Sequence, residues 1–247
     1  MKIVCIIPAW YHSTRLPGKP LMDICGKPMI WWVYHQAKKI ADFSEVIVAT
    51  DDERIAKVCQ EEKMTYCMTR NTHQNHISRV QEVSEYVDSD LYVCINGDEP
   101  LIEPEIIKSV LLECYDKNKD FVGGYRKLTD PAETVDNANI KLVLSNEGKC
   151  VYMSRGIVPY PKGTLFVEYK KYVGIECFTK ETLDFFVNTP MGVLERIEDI
   201  DHLRFIENGK TLYFTEVISN SISVDTMKDL EKVRIIMKKK QEEITDG

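Results

Sequence analysis

MKIVCIIPAWYHSTRLPGKPL (1–21) sets a short apolar run, KIVCII (2–7), directly before a loop stiffened by Pro17 and Pro20. The run is rich in β-branched residues and does not alternate, which is the pattern of a strand covered on both faces. EVIVAT (45–50), TYCM (65–68) and LYVCI (91–95) repeat it. Between them, PMIWWVYHQAKKI (28–40), DERIAKVCQEE (52–62) and ISRVQEVSEYV (77–87) carry helical spacing. Strand, helix, strand repeated in this way implies right-handed crossovers and a mostly parallel sheet flanked by helices, an α/β fold.

From Phe121 the pattern changes. FVGGYRKL, NIKLVLS, KCVYMSR and KKYVGIECF are strand-like and closely spaced, with Asn146-Glu147-Gly148 as a hairpin turn. Residues from about 120 to 178 therefore read as a mixed-sheet lobe within a single domain spanning 1–247. TKETLDFFVN (179–188), with Thr179 as cap, and LERIEDIDHLRFIE (194–207) read as helices, TLYFTEV (211–217) as a final strand, and 227–240 as the last helix. Thr226 is its expected N-cap, Asp229 lies in its first turn, and the tail MKKKQEEITDG is expected to fray. No repeat, low-complexity tract or long linker divides the chain.

The chain has 247 residues, 44% of them hydrophobic, and a net charge of −7 from 39 acidic and 32 basic side chains. That balance argues against a nucleic-acid partner held by a general basic field, and the absence of a long apolar run argues against a membrane span. A polyanionic small substrate is still compatible, because a few cations in one cleft act locally. The eight cysteines contain no CxxC pair and lie mostly in apolar runs, as reduced core thiols of a cytoplasmic protein do. His73 and His76 form an HxxH, but no cysteine or acidic cluster nearby completes a zinc set.

In an open α/β sheet, ligands bind beyond the carboxyl ends of strands, which places the 8–21 loop at a binding site. It is neither GxGxxG nor GxxxxGK[ST], so a nicotinamide dehydrogenase is disfavoured. It offers instead the Ser13 and Thr14 hydroxyls, the Arg15 guanidinium and the Lys19 ammonium, a planar fork and a point charge suited to a triphosphate. INGDEP (95–100) follows the strand LYVCI, and Asp98 there is placed to hold Mg2+, with Glu99 either an outer ligand or structural. In SVDT (223–226), Asp225 read locally is a helix-capping carboxylate.

IIPAWYHSTRLPGKPLMDICGKPMI (6–30) closely resembles the signature loop of the CMP-KDO synthetases, the 3-deoxy-manno-octulosonate cytidylyltransferases. VATDDERI, the MTR segment with His73-Gln74, NGDEP, YMSRGIVPY, YVGIECF, LERIEDIDHLR and SVDTMKDLEKVR all have counterparts in order, so the resemblance spans almost the whole chain. It implies a Rossmann-like nucleotidyltransferase fold, dimeric through the second-half lobe, that uses CTP and Mg2+ to join CMP to an acidic sugar and release pyrophosphate. By the same resemblance, Arg15 and Lys19 match the triphosphate-binding cations, and Asp98 and Asp225 match the Mg2+-binding aspartates. Arg79 and Arg155 match arginines at the nucleotide and sugar-acid ends of the cleft. Pro8, Ala9, Thr69 and Arg70 fall near the cytosine or ribose. No protein general base stands out, and the expectation is that Mg2+ on the two aspartates replaces one.

The departures from the pattern fall mainly on the acceptor side. A glutamine before GDEP is Asn96 here, which moves the amide by about 1.5 Å. A serine-glycine-threonine-acid stretch before Arg79 is Asn75-His76-Ile77-Ser78, a histidine before the GI dipeptide is Tyr172, and a Glu-Gln pair is Asp201-His202. The loop arginine is Trp10. Asn96, Arg155, Tyr172, Asp201 and His202 are thus the acceptor-side candidates. A KDO-like keto-sugar acid is the expected acceptor, with a modified octulosonate, another acidic sugar or a small phosphonate or phosphate as the alternative. A catalytically silent nucleotide-binding module would be free to lose Arg15, Lys19, Asp98 or Asp225, and all four are present.

Overall fold

β1 (Ile3–Ala9) is buried at all of its positions, as its unalternating sequence requires. The computed structural model describes residues 1–13, 16–116, 119–219 and 221–245, and the chain forms two compact units, 1–107 with 219–247 and 108–218. In the first, β2 (Asp23–Ile24) and β3 (Lys27–Pro28) form a small hairpin turning through Cys25 and Gly26, both at positive φ. There follow α1 (Met29–Ala37), β4 (Glu45–Thr50), α2 (Glu53–Glu61), β5 (Tyr66–Met68), α3 (His76–Tyr86) and β6 (Leu91–Ile95). The sheet order is β6-β1-β4-β5, and every pair in it is parallel. Side chains cap the helices as polar N-caps should: Asp52 accepts from the Arg54 N–H and Asn75 from the Ser78 N–H. α4 (Pro104–Cys114) spans the boundary in sequence, over a stretch to which the sequence reading assigns no element.

The second unit is a mixed sheet. β7 (Phe121–Lys127), α5 (Pro131–Val135), β8 (Lys141–Leu144), β9 (Cys150–Ser154), β10 (Lys170–Phe178), α6 (Lys180–Asn188), α7 (Val193–Glu198), α8 (Leu203–Glu207) and β11 (Tyr213–Glu216) follow in order. β7 pairs antiparallel with β10 and parallel with β11, and β8 pairs antiparallel with β9 and β10. The β8–β9 turn runs through Gly148 at φ 75°, as the Asn-Glu-Gly sequence predicts. The strand-rich stretch 120–178 lies inside this unit, which also takes in α6, α7, α8 and β11.

The single helix expected over 194–207 is two. Asp199 adopts φ 53° and ends α7, and Arg155 holds the Glu198 and Asp199 carbonyls, each at 2.8 Å. α8 packs its face through Arg204, which grips Glu195 with two bonds of 2.6 and 2.7 Å and also reaches the Phe186 and Thr189 carbonyls. Both partners are buried. Arg204→Met is expected to destabilise the fold by about 3–5 kcal/mol, because it strands a buried carboxylate; urea denaturation measures it.

Returning to the first unit, α9 (Met227–Thr245) continues beyond the expected end near 240, so the lysine-rich tail is helical rather than frayed. Thr226 and Asp229 cap it reciprocally: the Thr226 N–H donates to Asp229 Oδ2, and the Asp229 N–H to Thr226 Oγ1. Leu230, Val233 and Met237 join Leu16, Ile24, Met29, Leu101 and Val224 in one apolar cluster. That packing anchors the 221–226 segment, which matters for the site.

Candidate active site

The site belongs to the first unit and is assembled from the ends of β1 and β6 and from the segment before α9. A Cβ on Gly97 would lie 2.8 Å from the Pro8 carbonyl oxygen, so only glycine lets the 96–98 loop close onto the end of β1. Glu99, buried just beyond, accepts from the Ser221 hydroxyl at 2.5 Å and from the Ser223 hydroxyl. The Val224 N–H donates to the Asp98 carbonyl at 2.9 Å. These three bonds bring Asp225 beside Asp98 across more than a hundred residues of sequence, and they give Glu99 a structural role. The capping reading of Asp225 gives way, since Thr226 caps α9.

Lys19 occupies a 3-10 turn (Lys19–Leu21) entered through Gly18 at φ 71°, whose N–H donates to the Tyr11 carbonyl at 2.7 Å. Its Nζ lies 2.6 Å from Asp98 Oδ2 and 3.3 Å from Asp225 Oδ1. Burial works against the ammonium, but the two carboxylates outweigh it and raise the Lys19 pKa above its ordinary value. Asp98 Oδ1 is buried and has no hydrogen-bond partner among the described residues. A buried carboxylate oxygen left without a donor, beside a second carboxylate, is the donor set a hard divalent cation takes. Asp98 and Asp225 therefore fit such an ion.

A cavity of about 460 Å³ opens over this cluster, lined by Pro8, Ala9, Trp10, Ser13, Lys19, Asn96, Asp98 and Asp225 among others. Seven of the candidate site residues thus converge, Pro8, Ala9, Ser13, Lys19, Asn96, Asp98 and Asp225, together with Trp10. Arg15 and Thr14 lie outside the described residues. Thr69 and Arg79 do not line the cavity and connect to it through Trp10, whose ring Arg79 covers: Arg79, with no exposed surface, donates from Nη1 to Thr69 Oγ1 at 2.6 Å and lies 3.2 Å from Asp51. Arg70 is a surface residue whose N–H and Nε donate to Glu82 at 3.0 and 3.2 Å. His73 also bonds Glu82 and, through Nδ1, Ser78 at 3.1 Å, so both ring nitrogens of this HxxH member are engaged. Burial alone would raise the Glu82 pKa, yet these partners lower it.

Arg155, Tyr172, Asp201 and His202 belong to the second unit. Arg155 spends its guanidinium on carbonyls: Nε on Glu198, Nη2 on Asp199 and Nη1 on Asn137 at 3.4 Å. In this arrangement it staples the break between α7 and α8. Tyr172 and His202 converge on Glu176, a residue the sequence reading passed over. The Tyr172 hydroxyl donates to Glu176 Oε1, and His202 Nε2 lies 2.5 Å from the same oxygen. Glu176 and His202 are buried, and the Tyr172 and His202 rings lie 5.3 Å apart. The available signal was an acidic residue inside an otherwise apolar strand. Asp201 sits in the turn before α8, half-buried.

A parallel α/β sheet whose strand ends carry a Lys19–Asp98–Asp225 cluster under a nucleotide-sized cavity defines a nucleotidyltransferase. The chain belongs to the cytidylyltransferase family, whose description "Cytidylyltransferase" it matches over residues 4–212. It is 37% identical over 236 residues to the 3-deoxy-manno-octulosonate cytidylyltransferase of Escherichia coli, covering 96% of each chain. It is 39% identical to the enzyme of the same name from Fusobacterium nucleatum, over 94% of this chain and 96% of that one. Among solved structures it is similar to a CMP:2-keto-3-deoxy-manno-octonic acid synthetase complexed with CTP, with a TM-score of 0.92, 36% identity, and coverage of 97% of this chain and 100% of that one.

Proposed function

We propose that this enzyme transfers CMP from CTP to the anomeric hydroxyl of KDO, or of a close KDO-like keto-sugar acid, and releases pyrophosphate. The observation that carries the reading is Lys19 held between Asp98 and Asp225 at the floor of the cavity, in a chain whose relatives are named for this transfer. The acceptor hydroxyl attacks the α-phosphorus in line with the leaving pyrophosphate. Lys19 is a fixed cation at the place where charge develops on the leaving group, and Arg15, from the same loop, is the proposed second cation. The proposed cofactor is Mg2+ on Asp98 and Asp225, which when bound polarises the α-phosphate and lowers the pKa of the attacking hydroxyl. Pro8 and Ala9 supply backbone groups for the cytosine, which needs acceptors for its amine and donors for O2 and N3.

Asn96, on the cavity wall with Asp98, is proposed to read the acceptor, and Arg155, Tyr172, Asp201 and His202 are acceptor-side candidates on the family resemblance alone. A homodimer is proposed through the second unit, where Tyr160, Leu165 and Phe166 expose apolar surface beside a cavity lined by Leu128, Val135 and Ile157. A reducing, cytoplasmic setting fits eight cysteines in the thiol form, five of them buried. Among the described residues no helix is long and apolar enough to cross a membrane.

The acceptor assignment is tested by pyrophosphate release at fixed CTP and Mg2+ across KDO, amino-KDO, sialic-type acids and small phosphonates. Turnover is expected with KDO or its modified forms. Turnover confined to a phosphonate would refute the keto-sugar acceptor while leaving cytidylyl transfer in place.

A further inference from the structure

Arg79 presents an unusual balance. It has no exposed surface, yet its Nε and Nη2 have no hydrogen-bond partner among the described residues. Its Nη1 serves both Thr69 and Asp51. Burial lowers its pKa, and Asp51 only partly offsets that. The remaining face of the guanidinium is covered by Trp10, whose ring centroid lies 4.6 Å from the Arg79 carbon Cζ. Trp10 is half-buried and forms part of the cavity wall with Lys19 and Asp98. One indole thus both lines the cavity and covers a buried, under-satisfied cation.

We infer that Trp10 is a positioning residue for the nucleotide site, its indole face holding the Arg79 guanidinium against Thr69 so that the Thr69–Arg70 segment keeps its place. The inference rests on the reading that CTP occupies that cavity. The stack adds to the Asp51 pairing: the loop cation and the acid that the family resemblance leads one to expect at positions 10 and 78 are both absent, and Trp10 and Ser78 stand in their places. One positive and one negative charge are lost together, leaving the local balance unchanged. The Ser78 hydroxyl bonds His73 and the Asn75 carbonyl. An arginine at position 10 would place a second guanidinium beside the first, where the π face now attracts it. Trp10 is therefore the neutral partner that a buried arginine needs, and restoring a cation there is not a gain in phosphate affinity.

The test is calorimetric CTP binding with Mg2+ and no acceptor, together with kinetics at varied CTP, for W10F, W10A and W10R. A desolvated cation–π contact predicts that W10A raises Kd and KM for CTP about tenfold, while kcat at saturating CTP stays within about threefold. W10F, which keeps an aromatic face, should restore Kd to within about threefold of the native value. W10R, although it fills the space, should bind CTP no better than W10A. A split in KM without a matching loss in kcat, rescued by Phe and not by Arg, is what a purely structural role would not give. W10A matching the native chain, or W10R binding CTP more tightly than it, would overturn the inference. Should W10A not fold, the comparison of W10F with W10R decides, since equal affinity in those two would also overturn it. Failure of the native chain to bind CTP would overturn the nucleotide reading itself, and the inference with it.

Discussion

Asp98→Asn and Asp225→Asn are each expected to lower kcat/KM with CTP by about 10³-fold, the scale on which charge stabilisation at a transferring phosphoryl group operates. Asparagine keeps the shape of the side chain, so the bonds that place the segment, from Glu99 to Ser221 and Ser223 and from Val224 to the Asp98 carbonyl, are untouched. What is lost is a negative charge and, at position 98, a buried oxygen that has no donor among the described residues. The variants should also lose the Mg2+-dependent rise in melting temperature that the native chain is expected to show. Near-native turnover at limiting Mg2+ in either variant would remove these residues from the metal site.

Lys19→Met is the second large effect. Loss of one fixed cation facing the triphosphate is expected to cost about 10²–10³-fold in kcat/KM. It also leaves Asp98 and Asp225 facing each other with no cation between them, where both now pair with one Nζ at 2.6 and 3.3 Å. The variant without ligands should therefore melt below the native chain, and Mg2+ should raise its melting temperature by more than it raises the native one. Equal Mg2+ shifts would show that the carboxylates do not share a cation. The direction of the Lys19 pKa gives a further check. A pKa raised on folding makes the Lys19 contribution to stability complete below the ordinary lysine value of about 10.4, and it is lost only as pH rises through the higher folded value. Deprotonation of Lys19 therefore cannot account for an activity decline below pH ~10.

The regular elements were legible where the signal is local. β4 at 45–50, β6 at 91–95 and β10 at 170–178 coincide with runs of β-branched and aromatic residues, and Thr179 caps α6 as its sequence position suggests. The helix expected over 194–207 failed for a reason no window shows. Its apolar spacing runs on through Asp199, but Arg155, forty residues earlier, holds the two carbonyls at the break. α4 was missed because PEIIKSVLLEC follows directly on a motif that reads as loop.

Within the site, Lys19 and Asp98 stand on loops after strands and could be read from the fold rule alone. Asp225 could not, because its position depends on Glu99, Ser221 and Ser223 meeting across the first unit; only the family resemblance pointed to it. Asp51 and Glu176 gave still less signal. Each acts through a partner, Arg79 in one case and Tyr172 with His202 in the other, and such pairings exist only in three dimensions.

The most direct test of cytidylyl transfer follows the α-phosphate. CTP labelled there is incubated with KDO, Mg2+ and the enzyme, with UTP, ATP and GTP labelled in the same position run in parallel. The account predicts label in a sugar nucleotide, with one pyrophosphate released per transfer, from CTP alone. Label transferred from UTP or ATP but not from CTP would contradict it.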